Sequence, residues 1–238
     1  MPGGGAALGV PRLTARGRHR TTDVTARLRR FVEVTVARRG HTAVLRVAPD
    51  FLLIGSDDDF VTAPLRALVA PRVADALGCV LPTRPLVDAV LAAGARAPLK
   101  GMWREGAPDG WLESWRCHRD HQARLKRPTA PPGALVAGYL KDVVLTPSLQ
   151  KKVARNHRWP VAIYGAWDAS KAKVVQGLVH DHAIDYVDYS HGTRLVSSVM
   201  TLDGVERAVA DVLADPALAG ALCDGGVIVP ARYEPERA

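Results

Sequence analysis

The turn signal Arg39-Gly40 constrains this fold more than any other feature of the chain. Before it, Phe31, Glu33, Thr35 and Ala37 alternate with Val32, Val34 and Val36. After it, His41 to Val47 returns as a second β-rich run. A period of two on both sides of a glycine turn specifies an antiparallel hairpin. Pro49-Asp50 predicts a break, and Phe51 to Ile54 a third, buried strand. That strand ends in Gly55-Ser56-Asp57-Asp58-Asp59. If this tip is extended, Asp57 and Asp59 point the same way and can bind a polar substrate.

The middle of the chain reads as helical. Pro71 to Leu77 carries Val73, Ala74 and Leu77, and Gly78 stops it. Thr83 caps a second helix, whose Leu86, Val87, Val90 and Leu91 share one face and which Gly94 ends. Trp111 to Lys126 reads as a third, amphipathic helix containing Cys117, His118 and His121. From Leu135 strands return: Leu135–Tyr139, Asp142–Thr146, Val161–Tyr164, Val174–His180 and Asp185–Met200. Leu202-Asp203-Gly204 is a hairpin turn signal, and Val205 to Leu213 reads as a C-terminal helix. The expected fold class is therefore α+β: an N-terminal β-hairpin, a helical middle, and a mostly antiparallel sheet with a C-terminal helix.

With 238 residues and 47% hydrophobic content the chain can build one substantial core. Residues 1–22 lack periodicity and read as a flexible basic tail, residues 23–230 as a single domain, and 231–238 as a frayed end. Residues 1–49 hold ten arginines against Asp23 and Glu33, which accounts for the whole net charge of +8; the remainder is neutral. Such an arm can attract polyanions. No aromatic-basic platform or helix-turn-helix accompanies it, so nucleic acid is disfavoured as a partner. Cys79, Cys117 and Cys223 are odd in number and widely spaced, which fits reduced thiols rather than a disulfide frame or zinc site. No apolar run reaches the length of a membrane span. The opening places its small apolar patch before its arginines, the reverse of a secretory signal. A cytoplasmic location is expected.

The chemistry concentrates in Gln176 to Val196, QGLVHDHAIDYVDYSHGTRLV. His180, His182, His191, Asp181, Asp185, Asp188, Tyr186 and Tyr189 all fall within it. As a single strand, Tyr186, Asp188, Ser190 and Gly192 would face away from Tyr189 and His191. Irregular backbone near His191 is therefore expected, since a bulge re-aims side chains.

Three segments, Gly138–Leu145, Val161–Trp167 and Gln176–Val196, resemble an uncharacterised bacterial family. Its pattern runs KKDVV, VAIYGWH, IQPL, a histidine, and DYSHGxRLV. Gly55–Asp59 and Leu81-Pro82-Thr83-Arg84 resemble its earlier landmarks. The chain keeps Lys141, Asp142, Tyr164, Gly165, Gln176, His180, Asp188, Tyr189, Ser190, His191, Gly192 and Arg194. It departs at Ala166-Trp167-Asp168, where the pattern has WH, at Val175-Gln176-Gly177-Leu178, and at Cys223-Asp224-Gly225-Gly226. The resemblance supplies positions rather than a reaction.

The reading favoured by these residues is an enzyme using His/Asp general acid–base chemistry on a small polar or peptide-like substrate, a hydrolase first. His191 or His180 would move protons, with Asp188 or Asp142 fixing the tautomer. Lys141 and Arg194 would stabilise negative charge. Tyr189, Ser190, Gln176, Tyr164, Asp57 and Asp59 would orient the substrate. This chemistry calls for no cofactor. The alternatives are a cofactor-free isomerase or epimerase, a non-catalytic ligand-binding module, a satisfied structural network, and a metal-dependent hydrolase using His180, His182, Asp185 and His191. Deleting residues 1–22 should leave any activity of the body intact at all salt concentrations. Loss confined to low salt would mark an electrostatic partner for the arm.

Overall fold

The computed structural model describes residues 30–55, 60–97, 130–131, 133–151 and 160–233. The basic tail 1–22, the Asp57–Asp59 cluster, the helix expected over Trp111–Lys126 and residues 234–238 lie outside these.

Strands β1 (Val32–Arg38) and β2 (His41–Phe51) pair as an antiparallel hairpin. Arg39 and Gly40 take φ of 49° and 81°, the left-handed pair that a type I′ two-residue turn demands. There follow β3 (Leu53–Gly55), β4 (Phe60–Thr62), α1 (Ala70–Ala76), β5 (Cys79–Val80), α2 (Arg84–Ala93), β6 (Ala95–Arg96) and β7 (Val136–Ala137). Then come β8 (Lys141–Val143), α3 (Ser148–Lys151), β9 (Pro160–Asp168), β10 (Lys173–Ala183), β11 (His191–Gly192), β12 (Arg194–Leu202), β13 (Val205–Ala208) and α4 (Val209–Ala214). The fold is α+β, mostly strands in antiparallel sheets.

Two sheets dominate. The first runs β1-β2-β12-β13, with β5 also paired to β12. The second runs β10-β9-β8-β11, antiparallel except for the parallel step from β8 to β11. Helix α2 packs against β1 of the first sheet and β9 of the second. Its Leu86, Val87, Val90 and Leu91 are all buried, each contributing about 1.5–3 kcal/mol relative to exposure. Thr83 stands at its N-cap, but its hydroxyl donates to the Leu222 carbonyl instead of the helix (2.5 Å).

Several expected elements resolve differently. Pro49-Asp50 does not break β2. The strand runs on to Phe51, because the β2–β12 register shifts between Val196↔Val47 and Arg194↔Phe51, and a proline is tolerated at such an irregularity. The stretch Asp185–Met200 is not one strand. It begins as a turn, joins the second sheet at His191–Gly192, breaks at Thr193 and re-enters the first sheet as β12. Val205 to Ala208 is strand, not helix. Asp203 and Gly204 (φ 51° and 80°) close a second two-residue turn that pairs Leu202 with Val205, so helix begins only at Val209.

The crossing at Thr193 brings Arg194 opposite β8. Arg194 is 0% exposed. Its Nε donates to Asp142 Oδ1 at 3.2 Å, and its two terminal nitrogens donate to the carbonyls of Ala48 (3.3 Å) and Val136 (3.0 Å). Its guanidinium lies 4.3 Å from the Phe51 ring centroid. The same ring leaves no room at Gly192, where a Cβ would fall within 3 Å of three Phe51 atoms. Beside it Tyr139 donates to Asp50 Oδ1 (2.6 Å), so the buried carboxylates of this layer are each met by a donor. Replacing Arg194 by Met strands the Asp142 carboxylate in the interior and is expected to cost about 3–5 kcal/mol in urea unfolding at pH 7. Adding Asp142→Leu to it should recover most of that loss.

Candidate functional site

Asp188 turns the chain that leads into β11. Its Oδ1 accepts from the Ser190 backbone N–H (2.7 Å) and hydroxyl (2.5 Å), an aspartate-closed turn, and its Oδ2 accepts from the Tyr186 hydroxyl (2.9 Å). The His191 N–H donates to the Asp188 carbonyl (3.1 Å). This local wrapping is why Tyr186, Asp188 and His191 meet, which alternation along a straight strand would have prevented.

His191 then pairs in register with Lys141 of β8, so both side chains leave the same face of the second sheet. His182, on β10, is separated from β11 by two intervening strands, which in a flat sheet would set the edges roughly 14 Å apart. Its ring centroid is nevertheless 5.9 Å from that of His191. The register of β10 on β9 shifts twice, between Gln176 and Val179 and between Val179 and His182, and the strand bends there. The sheet therefore curls and brings its edges together. Tyr186 stacks on His182 (4.2 Å, 17°) and meets His191 edge-on at 5.7 Å.

The imidazole of His191 is buried (1% exposed), and neither ring nitrogen has a hydrogen-bond partner among the described residues. Its Nε2 lies 4.0 Å from Asp188 Oδ1, too far for a hydrogen bond. Burial pushes its pKa down; Asp188 opposes this, while Lys141 and His182 add to it, and the result is about 4. The ring is thus neutral near pH 7. A buried unpaired N–H costs about 1–3 kcal/mol, which the surrounding fold must absorb. Burial raises the Asp188 carboxyl, but the pull of His191 and the donors of Ser190 and Tyr186 outweigh it and hold it below the usual range. Burial, then Asp188, raises the Tyr186 phenol to about 12.

The remaining expected site residues lie elsewhere. Asp142 and Arg194 point to the opposite, interior face, where they bind each other. Arg194 therefore is not placed to receive a substrate anion, and Asp142 does not orient a histidine. His180 meets Ser148, with Nε2 to Oγ at 2.5 Å. Tyr164 donates to Asp88 Oδ1 (2.5 Å) beneath Arg84. Gln176 is half-exposed on β10, its amide donating to the Gly177 carbonyl (3.3 Å). Tyr189 is buried at 3%. Among the described residues no three His, Cys, Asp or Glu side chains converge as metal ligands, so His180, His182, Asp185 and His191 do not form a set. Cys79 and Cys223 are buried and free, each raised to about 11 by burial first, which is opposite to what a nucleophilic thiolate requires. His182 was expected only as one of four candidate metal ligands, through its H-x-H spacing with His180, and nothing in the sequence pointed to Ser148.

No protein-family model, curated protein or solved structure matches the chain.

The two buried titratable groups have opposite linkage. Burial raises Asp142 from 3.8 to about 6 against the pull of Arg194, so the folded chain holds an extra proton between those values. That contribution is full below pH 3.8 and is lost as pH rises through 6. His191, lowered from 6.5 to about 4, contributes stability present above pH 6.5 and lost as pH falls through 4. Between pH 6 and 4 the two offset. Compared with the parent, Asp142→Asn should lose stability as pH falls through this window and His191→Gln should gain, each by up to about 1.4 kcal/mol per pH unit. Urea unfolding at pH 4, 5 and 6 reads both slopes.

Proposed function

We propose that this chain is an enzyme, a hydrolase in the first instance, that moves protons with His191 on a small polar or peptide-like substrate. The observation that carries the reading is the imidazole of His191, buried and neutral, with both ring nitrogens uncommitted among the described residues, beside a carboxylate held ionised. Perturbed titratable groups of this kind gather where chemistry is done.

In this reading the neutral imidazole accepts a proton from a water as the water attacks the substrate. Asp188, at 4.0 Å, stabilises the imidazolium that forms. Lys141, on the same face, stabilises the negative charge that develops on the attacked group. The His182–Tyr186 stack packs against His191, with Tyr186 36% exposed, and in this reading the substrate enters by displacing it. Membership of the bacterial family with the DYSHGxRLV pattern and a cytoplasmic location belong to the same proposal. Among the described residues no helix is long and apolar enough to cross a membrane, which agrees with it.

The test is turnover across peptide anilides and phosphoesters between pH 4 and 9. The rate should hold through neutrality and fall as pH drops through about 4, where the imidazole takes a proton. His191→Gln should lower the rate by about 10²-fold or more, with an unaltered circular dichroism spectrum. Equal turnover by a folded His191→Gln protein, or none from the parent on any of these substrates, overturns the reading.

A further inference from the structure

We infer that Ser148 is a nucleophile with His180 as its general base, and that the pair forms an acyl-serine with carboxylic esters. The inference shares the hydrolytic reaction class proposed above but uses neither His191 nor its neighbours.

Ser148 opens α3 directly after Pro147, and His180 reaches it from β10. Ser148 Oγ lies 2.5 Å from His180 Nε2 and 3.0 Å from Thr146 Oγ1. The Ser148 backbone N–H lies 3.5 Å from the same Thr146 oxygen. A backbone N–H only donates, so Thr146 Oγ1 accepts there, and its own proton can go to Ser148 Oγ. In the proposed mechanism the Ser148 hydroxyl receives from Thr146 and donates to His180 Nε2, with the imidazole proton on Nδ1. A hydroxyl aimed at an unprotonated imidazole nitrogen is the arrangement that activates serine. Thr146 is buried, whereas Ser148 and His180 are each partly exposed.

The step balances without a co-reactant. Ser148 Oγ attacks the ester carbonyl carbon and its proton passes to His180 Nε2. The tetrahedral intermediate then expels the alcohol, which takes that proton back. Water repeats the sequence on the acyl-serine and releases the acid. An ester is the substrate class assigned because its alkoxide leaving group asks least of the acid.

A fluorophosphonate probe tests this on the full-length protein, since Oγ displaces fluoride in the same way and the adduct persists. Mass spectrometry of the intact protein should show a single adduct, and peptide mapping should place it on Ser148. Ser148→Ala should abolish it, and His180→Gln or His180→Asn should slow it on the order of 10²-fold. No adduct, an adduct on another residue, or equal labelling rates in folded His180 variants overturns the inference. Because mapping is done on the parent, a variant that fails to fold does not blur the result. If Ser148 stays unlabelled while turnover still depends on His191, this inference falls and the preceding proposal stands.

Discussion

The ion pair between Arg194 and Asp142 is the contact on which the rest of the molecule depends. Asp142 belongs to the curled four-stranded sheet and Arg194 to the five-stranded one. Apolar packing of α2 against both sheets supplies the bulk of the attraction, but it is not directional. The guanidinium is directional. It reads one carboxylate, two main-chain carbonyls and one aromatic face, drawn from the three strands β2, β7 and β8. Few arrangements of the two sheets satisfy all four at once, and an arginine left unsatisfied in the interior would be far costlier than an apolar mismatch.

The polar cluster around His191 is a consequence of the same geometry. The chain reaches Arg194 by crossing from one sheet to the other within a few residues. Gly192 must pass under Phe51 and Thr193 must leave both ladders, its carbonyl accepting from the Leu52 N–H (2.7 Å). Just upstream, the Asp188 turn folds Tyr186 and His182 over the ring. What is left is an imidazole that core packing positions and that no other described residue hydrogen-bonds. The buried hydroxyl of Tyr233, by contrast, donates to the Val144 carbonyl at 2.7 Å, while Thr193 Oγ1 at the crossing is, like the His191 ring, without a partner among the described residues.

How far all this could be read from the residues depends on the range of the interactions involved. The Arg39-Gly40 hairpin and α2, bounded by Thr83 and Gly94, were legible because their signals lie within a few residues of what they control. Val205 to Ala208 misled, since its apolar spacing suits a helix while the Asp-Gly turn before it enforces pairing. Lys141, Asp188 and His191 could be named as a group from the composition of their segments. The separate fates of Asp142 and Arg194 could not, because alternation in β8 sends Asp142 to the face opposite Lys141 only once the register with β11 is known. Nor could the partnership of Ser148 with His180, thirty-two positions apart, be anticipated from either neighbourhood.

The passage of Gly192 beneath the Phe51 ring has an evolutionary corollary. Active sites carried on surface loops can be exchanged between scaffolds, because the loop and the frame vary independently. Here the residue next to the imidazole is itself a wall of the interior, so any drift in the size of that aromatic ring would be felt as a displacement of His191. Relatives of this chain should therefore change ring and glycine together or not at all, and grafting the histidine segment alone onto a foreign framework should yield an inert protein.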